Sequence, residues 1–442
     1  MLDEIRQAAA RQRRARTLRA LTLGARRLLT GGGEMNGMAT ALAMVERLDT
    51  LDADDLDAFF DFLARELGPD PQAVLRLAKA YAERPQAAEQ IALMQAVEPP
   101  RQELLRRLNR APGGTAAILR LRRALLKVLP RRPELAALEA DLLHLLTSWF
   151  NPGFLQMRRV DWNAPAQLLE KLILHEAVHA IDGWDDLRRR LQPDRRCFAF
   201  FHPQLPDEPL IFVEVALLPE MPAAIAPLID KASTPLPADR WRVAAFYSIS
   251  NCEPGLRGVS LGNFLIKKVA EQLQRELPRV RTYCTLSPIP GFAAWLLPGQ
   301  GTGPDLPALA DQAGLRKPQA EALQAALARL RTSLDGDLSR LQHPAAHEAL
   351  ADEDRAALQR LCAAYLLLVS PTPGGDPVAR FHLDNGARLE RINLRGNMSA
   401  KGLRQSFGLM VNYLYDLDRI EASHDKFRQG EVARSRAAAA LL

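Results

Sequence analysis

The sequence predicts an α+β protein: an all-α helical bundle over residues 1 to about 150, followed by an α/β domain with a helical insertion at about 300–366. Three observations predict it. Apolar residues recur at three- and four-residue spacing through the first third of the chain. After Asn151-Pro152-Gly153, β-branched and aromatic stretches alternate with helical ones. A chain of 442 residues also exceeds what one core ordinarily serves, about 250 to 300 residues.

The helical half shows its periodicity at Leu56, Phe59, Phe60, Leu63 and Leu67, again at Leu104, Leu105 and Leu108, and again at Leu119, Leu121, Leu125 and Leu126. Breaks fall at Gly31 to Gly33, Gly68-Pro69, Pro99-Pro100 and Pro112-Gly113-Gly114. Nothing in this half carries catalytic chemistry, so its expected role is scaffold and contact between subunits of a homo-oligomer. In the second half, Pro209 to Leu217 and Trp241 to Ser250 read as strands, and Val280, Thr282, Cys284 and Leu286 alternate as one face of another. Ser260 to Leu277 between them reads as a helix, which makes a βαβ unit. Arg388 to Leu394 resumes as strand after the insertion.

Hydrophobic residues at 48% and charged ones at 25% fit a chain folded nearly throughout. The net charge of +6 favours an anionic partner. No aromatic-interleaved basic stretch or zinc-finger spacing points to nucleic acid, and a polyanionic CoA ester fits the charge as well. The cysteines Cys197, Cys252, Cys284 and Cys362 lie at no metal-ligand spacing, which suits a reducing compartment. Apolar runs fall short of the about 20 residues a membrane span needs, and the N-terminus has no apolar signal region, so the cytoplasm is the expected location.

Three constellations carry chemistry. His175-Glu176-Ala177-Val178-His179 spells H-E-x-x-H, which on one helix would set two histidines on a shared face with Glu176 as base of a zinc hydrolase. The continuation that completes such sites is absent, and the segment reads instead as the approach to a structural helix at Trp184 to Leu191. Arg257-Gly258-Val259-Ser260-Leu261-Gly262-Asn263 lies between strand and helix, where glycines and free amides suit a pyrophosphate. It resembles the R-G-x-G-x-G/A loop of GNAT acyltransferases, with Ser260 at the middle glycine. Third, Ser287 falls at a strand end, and His382 precedes Asn385-Gly386, a helix C-cap signal that puts its ring on a last helical turn.

Together with Phe246-Tyr247-Ser248-Ile249-Ser250, Gly255-Leu256-Arg257-Gly258-Val259, Leu286 to Phe292, Phe381-His382-Leu383 and Gly408-Leu409-Met410, these segments resemble the malonyl-CoA decarboxylase family from about Phe150 to Leu417. The resemblance implies a helical N-terminal domain over 1–150, a GNAT-like catalytic domain over 151–442, and Ser287 and His382 as catalytic pair. It further implies a substrate loop at Arg257 to Asn263, Tyr415 at a further active-site position, and no metal or organic cofactor. Some family members carry glutamate where this chain has Ser260. Amides near Ser287 or Asn251 are expected to hold the oxygen of a thioester enolate, and His382 to protonate it. An N-acyltransferase on the same fold, or a zinc peptidase using His175 and His179, are the alternatives.

Overall fold

The computed structural model describes residues 2–31, 34–259, 261, 265–297 and 304–442. The chain sorts into two compact units. One comprises Met1–Gln156 with two later segments, Phe201–Pro209 and Glu253–Leu261; the other comprises Met157–Phe200, Leu210–Cys252 and Gly262–Leu442.

The first unit is helical: α1 (Leu2–Thr30), α2 (Glu34–Leu48), α3 (Ala53–Asp61), α4 (Pro71–Glu83), α5 (Ala87–Val97), α6 (Pro100–Asn109), α7 (Gly114–Val128) and α8 (Ala136–Trp149). The breaks fall where glycine and proline stand. Gly31 takes φ +87° after α1, and Gly113 takes φ +74° just before α7, a left-handed conformation that favours glycine. Asp52 caps α3 by accepting from the Asp55 amide, and Asp70 with Pro71 opens α4 in the same way through Gln72. The period through Phe59, Phe60 and Leu63 holds all three in the core, although α3 ends at Asp61 and widens into a π-helical turn over Phe62–Glu66. The pair α4 and α5 differs from the rest, because neither helix has a single buried residue although the two pack on each other.

The second unit contains α9 (Ala166–His175), α10 (Gly183–Arg190), α11 (Ala226–Ile229), α12 (Leu265–Glu276) and α13 (Phe292–Leu296). The insertion follows as α14 (Leu306–Gln312), α15 (Lys317–Ser333), α16 (Pro344–Ala349) and α17 (Asp352–Ala364), and then come α18 (Pro377–Asp384), α19 (Ala400–Ser406), α20 (Ile420–Arg428) and α21 (Arg436–Ala439). A seven-stranded sheet carries them: β1 (Gln156–Val160), β2 (Arg195–His202), β3 (Leu205–Leu218), β4 (Val243–Asn251), β5 (Thr282–Thr285), β6 (Arg388–Asn393) and β7 (Met410–Leu414), in the order β1-β2-β3-β4-β5-β7-β6. The expected strands around 209–217, 241–250, 280–286 and 388–394 are present; β1, β2 and β7 were not expected. α12 begins at Leu265 and buries Leu265, Val269 and Leu273, as its spacing predicts, while 262–264 lie outside the described residues.

β4 and β5 are parallel, joined by the α12 crossover, and β5 then pairs antiparallel with β7. Pairing of β4 with β5 runs from Val243/Thr282 to Phe246/Thr285. The residue that follows Leu286 bridges the other neighbour instead: Ser287 pairs with Val411. The two parallel strands therefore part at their carboxyl ends, the side of an α/β sheet where ligands gather.

A buried charge cluster braces one face of this sheet. Arg190 of α10 is fully buried and donates to Asp186 at 2.9 Å and to Glu214 of β3 at 3.0 Å. Removing the cation leaves two carboxylates desolvated, so Arg190→Met is expected to lose about 3–5 kcal/mol in a urea titration. Arg190→Met combined with Glu214→Leu should recover a large part of that loss, and an Arg190→Met midpoint equal to wild type would show that the cluster braces nothing.

Candidate active site

Three segments far apart in sequence deliver the polar groups at the parted ends of β4 and β5. Ser287 lies just past β5 and is clamped to β7 by its own backbone: its amide donates to Val411 O at 2.8 Å and its carbonyl accepts from Val411 N at 3.0 Å. His382 sits in the last turn of α18. Its carbonyl accepts from Ala387 N at 3.1 Å, and Gly386 turns the chain at φ +78°, where a side chain would overlap the Ile420 carbonyl. The C-cap read from Asn385-Gly386 is thus present. Tyr415 follows β7 directly.

The His382 ring is 4% exposed and both nitrogens are engaged. Nε2 lies 3.0 Å from Ser287 Oγ, and Nδ1 lies 2.9 Å from the Tyr415 hydroxyl. Ser287 Oγ donates to Thr285 Oγ1 at 2.9 Å, and that oxygen also accepts from Tyr413 N at 3.2 Å. These directions assign the tautomer: with the serine proton turned to Thr285, Nε2–H donates to Ser287, and Nδ1 accepts from Tyr415. The Tyr413 ring stacks on the imidazole, centroids 4.8 Å apart at 28°. Burial depresses the His382 pKa to about 3, so the unliganded ring is neutral at physiological pH.

The other expected positions divide. Ser287 and His382 are in hydrogen-bond contact, and Tyr415 joins them on the histidine side, its hydroxyl turned to Nδ1. The Ser287 amide is spent on Val411 and the Gly291 amide on Asp376, so neither of these two is turned to a ligand, and Pro288 and Pro290 have no amide to offer. Asn251 is exposed at the end of β4, opposite Ile211. In the loop, Arg257 and Gly258 are exposed, with Gly258 at φ +83°, whereas Val259 and Leu261 bury their side chains and offer only backbone. Ser260, Gly262 and Asn263 lie outside the described residues.

The H-E-x-x-H segment is not one helix. α9 ends at His175 and Glu176 is extended at ψ 107°, so the two histidines do not share a helical face. Glu176 instead accepts from the amides of Val178 and His179 and from the hydroxyls of Ser248 and Ser250. His179 is buried with its pKa lowered to about 3, first by desolvation. Among the described residues no group of three or more histidine, cysteine or carboxylate side chains is arranged to hold a metal. The zinc peptidase alternative is overturned by this geometry.

Sequence reasoning missed Thr285 and Tyr413, although each stands two residues before a residue it did name, on the same strand face. It also missed Arg122. This α7 residue is 1% exposed, pairs with Glu139, and donates to the carbonyls of Gly255 at 2.6 Å and Arg257 at 2.7 Å. The helical unit thereby shapes the 253–261 loop, and no sequence signal marks it.

Family models of two domains match the chain: "Malonyl-CoA decarboxylase C-terminal domain" over residues 153–442 and "Malonyl-CoA decarboxylase N-terminal domain" over 67–150. The mitochondrial malonyl-CoA decarboxylase of Anser anser anser is 35% identical over 377 residues, 80% of this chain and 73% of that protein. That of Rattus norvegicus is 36% identical over 361 residues, 76% of this chain and 70% of that protein. Among solved structures, malonyl-CoA decarboxylase from Rhodopseudomonas palustris superposes with TM-score 0.82 at 46% identity, covering 95% of this chain and 98% of that one. The Cupriavidus metallidurans structure gives TM-score 0.74 at 36% identity over 98% of this chain and 100% of that one. The chain belongs to the malonyl-CoA decarboxylase family.

Proposed function

We propose that this enzyme cleaves malonyl-CoA to acetyl-CoA and carbon dioxide, with Ser287 and His382 delivering the proton that the product gains. The observation that carries the reading is the buried array Thr285–Ser287–His382–Tyr415 at the parted ends of β4 and β5. Loss of carbon dioxide breaks the C2–carboxyl bond and moves its electron pair into the thioester carbonyl as an enolate. One proton must then reach C2. Because Nε2 is turned to Ser287, the serine hydroxyl is the immediate donor to C2 and Nε2–H refills the oxygen. Tyr415 and Thr285 act as positioning residues at the two ends. The CoA pyrophosphate is assigned to the loop Arg257 to Asn263, which the basic balance and the left-handed Gly258 favour. The parallel pair β4 and β5 with its α12 crossover favours a GNAT-like acyl-CoA domain.

The proton's source follows from electrostatics. A unit charge about 4 Å away at an effective dielectric of about 20 is worth about 4 kcal/mol, or about three pKa units. The malonyl carboxylate beside His382 therefore raises the ring's pKa from its depressed resting value. Binding recruits the proton that C2 receives. In calorimetry with buffers of different ionisation enthalpy, the Ser287→Ala protein should take up protons on binding malonyl-CoA at acid pH, and fewer as the pH rises. Acetyl-CoA, which lacks the carboxylate, should recruit none. Equal uptake with both ligands would sink the recruitment step.

Purified protein with malonyl-CoA alone should release acetyl-CoA and carbon dioxide, in the presence of a chelator and with no amine acceptor. An absolute need for an amine would favour the N-acyltransferase. His382→Gln and Ser287→Ala should each lower kcat at least about 100-fold with acetyl-CoA affinity retained. Since the two act on one proton transfer, the double variant should lose far less than the product of the single losses. A folded His382→Gln enzyme turning over at near wild-type rate would refute the assignment.

We further propose a homo-oligomer formed through the helical unit. Support comes from α4 and α5, which leave Leu75, Ile91, Met94 and Val97 about half exposed or more. Ile91→Asp with Met94→Asp should reduce the mass measured by light scattering while circular dichroism stays unchanged. An unaltered mass would place the interface elsewhere.

A further inference from the structure

The geometry points to Asp376 as a positioning residue for decarboxylation, the single carboxylate that locks the serine segment to the histidine helix. This rests on the proposed roles of Ser287 and His382. Asp376 is fully buried, and its two oxygens serve different parts of the chain. Oδ1 accepts from the amides of Val378 and Ala379, each at 3.0 Å, and so caps α18, the helix that ends with His382. Oδ2 accepts from the amide of Gly291 at 3.0 Å, four residues beyond Ser287. The Tyr365 hydroxyl donates to the same carboxylate from the end of the insertion.

The local sequence is built around this grip. Gly291 has no side chain where a Cβ would overlap the Tyr365 hydroxyl and come within 3.4 Å of Asp376 Oδ2. Pro377 occupies the first turn of α18, where its missing amide is not needed. Gly375, just before the carboxylate, lies where a Cβ would overlap the Ser370 backbone. Ser287 is thus fixed on one side by its bridge to Val411 and on the other by the Gly291 tether, and α18 is fixed at its start by the same side chain. The 3.0 Å separation between Ser287 Oγ and His382 Nε2 is the result. Without the carboxylate each arm keeps its own fold, and the distance between them is free to drift. A displacement of about 1 Å at reacting groups lowers rates about 100-fold.

Asparagine separates the two tasks. An amide has one oxygen. Kept on the helix cap, where asparagine serves as well as aspartate, it turns an NH2 group toward the Gly291 amide, donor against donor. Asp376→Asn should therefore retain α18 but lose the tether. Expected are a kcat lowered 10- to 100-fold, with KM for malonyl-CoA and Kd for acetyl-CoA within about twofold of wild type. In the Ser287→Ala background the same change should lower the residual rate by less than twofold, because no serine–histidine geometry remains to protect. A helix-stability role alone would give losses that multiply. A near wild-type kcat for folded Asp376→Asn, a multiplying loss in the double variant, or a KM increase matching the kcat loss would each overturn the inference. Should Asp376→Asn not fold, Tyr365→Phe removes the hydroxyl that lies between the carboxylate and Gly291 and leaves the helix cap in place. A severalfold kcat loss at unchanged KM then supports the tether, and no change in kcat overturns it. If His382→Gln and Ser287→Ala themselves keep near wild-type rates, the catalytic pair is wrong; if they collapse while Asp376→Asn does not, only the tether is.

Discussion

Keeping an imidazole out of water while satisfying both its nitrogens is the constraint on which the centre of this sheet depends. A buried ring with an unmet nitrogen loses about 1–3 kcal/mol, so His382 needs two partners of fixed geometry, and no neighbour on its own helix supplies either. One comes from the end of β5 and the other from the end of β7. Adjacent pairing of those two strands brings Ser287 and Tyr415 to the same ring, and it requires the chain to leave β4 after Leu286. The parting of the parallel strands and the closure around the histidine are thus one event. The Ser287–Val411 bridge is where the backbone commits to it.

The part of the fold that was legible in the sequence was the part with a period or a punctuation mark. Helices with an apolar stripe, such as α7 and α12, and turns set by Gly113 or Gly386 follow from local rules that tertiary context did not override. β2 and β7 escaped because they are buried on both faces: Arg195 to His202 carries no alternation, and Met410 to Tyr413 is buried at every position. Without a solvent face a strand has no period of two to read. β1 escaped for the opposite reason, being short and mostly exposed. The H-E-x-x-H pattern misled because spacing in sequence implies a shared face only if the helix continues, and here it stops at its first histidine.

The meeting residues of the candidate site were legible as positions, and their support was not. Ser287 and His382 stand at punctuated positions, a strand end before proline and a helix end before Asn-Gly. What holds them does not. Thr285, Tyr413 and Asp376 meet them through contacts that only the folded chain sets. Arg122 is a plain example: an arginine in an amphipathic helix reads as solvated, yet its guanidinium is spent on two loop carbonyls 133 and 135 residues away. A basic count taken from sequence alone therefore overstates the charge offered to a ligand, because this cation and Arg190 are buried against their own chain.

On the proposed mechanism, the low resting pKa of His382 is what drives the final step. A histidine that stayed protonated in the empty site would gain little from substrate binding and would hold its proton after carbon dioxide left. Desolvation makes the imidazolium stable only while the malonyl carboxylate is beside it. Once the C2–carboxyl bond breaks, that anion is gone as a neutral gas, and the remaining negative charge lies on the enolate. The cation then faces its acceptor, and passing the proton through Ser287 to C2 removes both charges from the buried site. The same burial that penalises the charged ring in the resting enzyme thus favours its return to neutrality as C2 is protonated, and it does so with a serine, a histidine and the substrate's own charge.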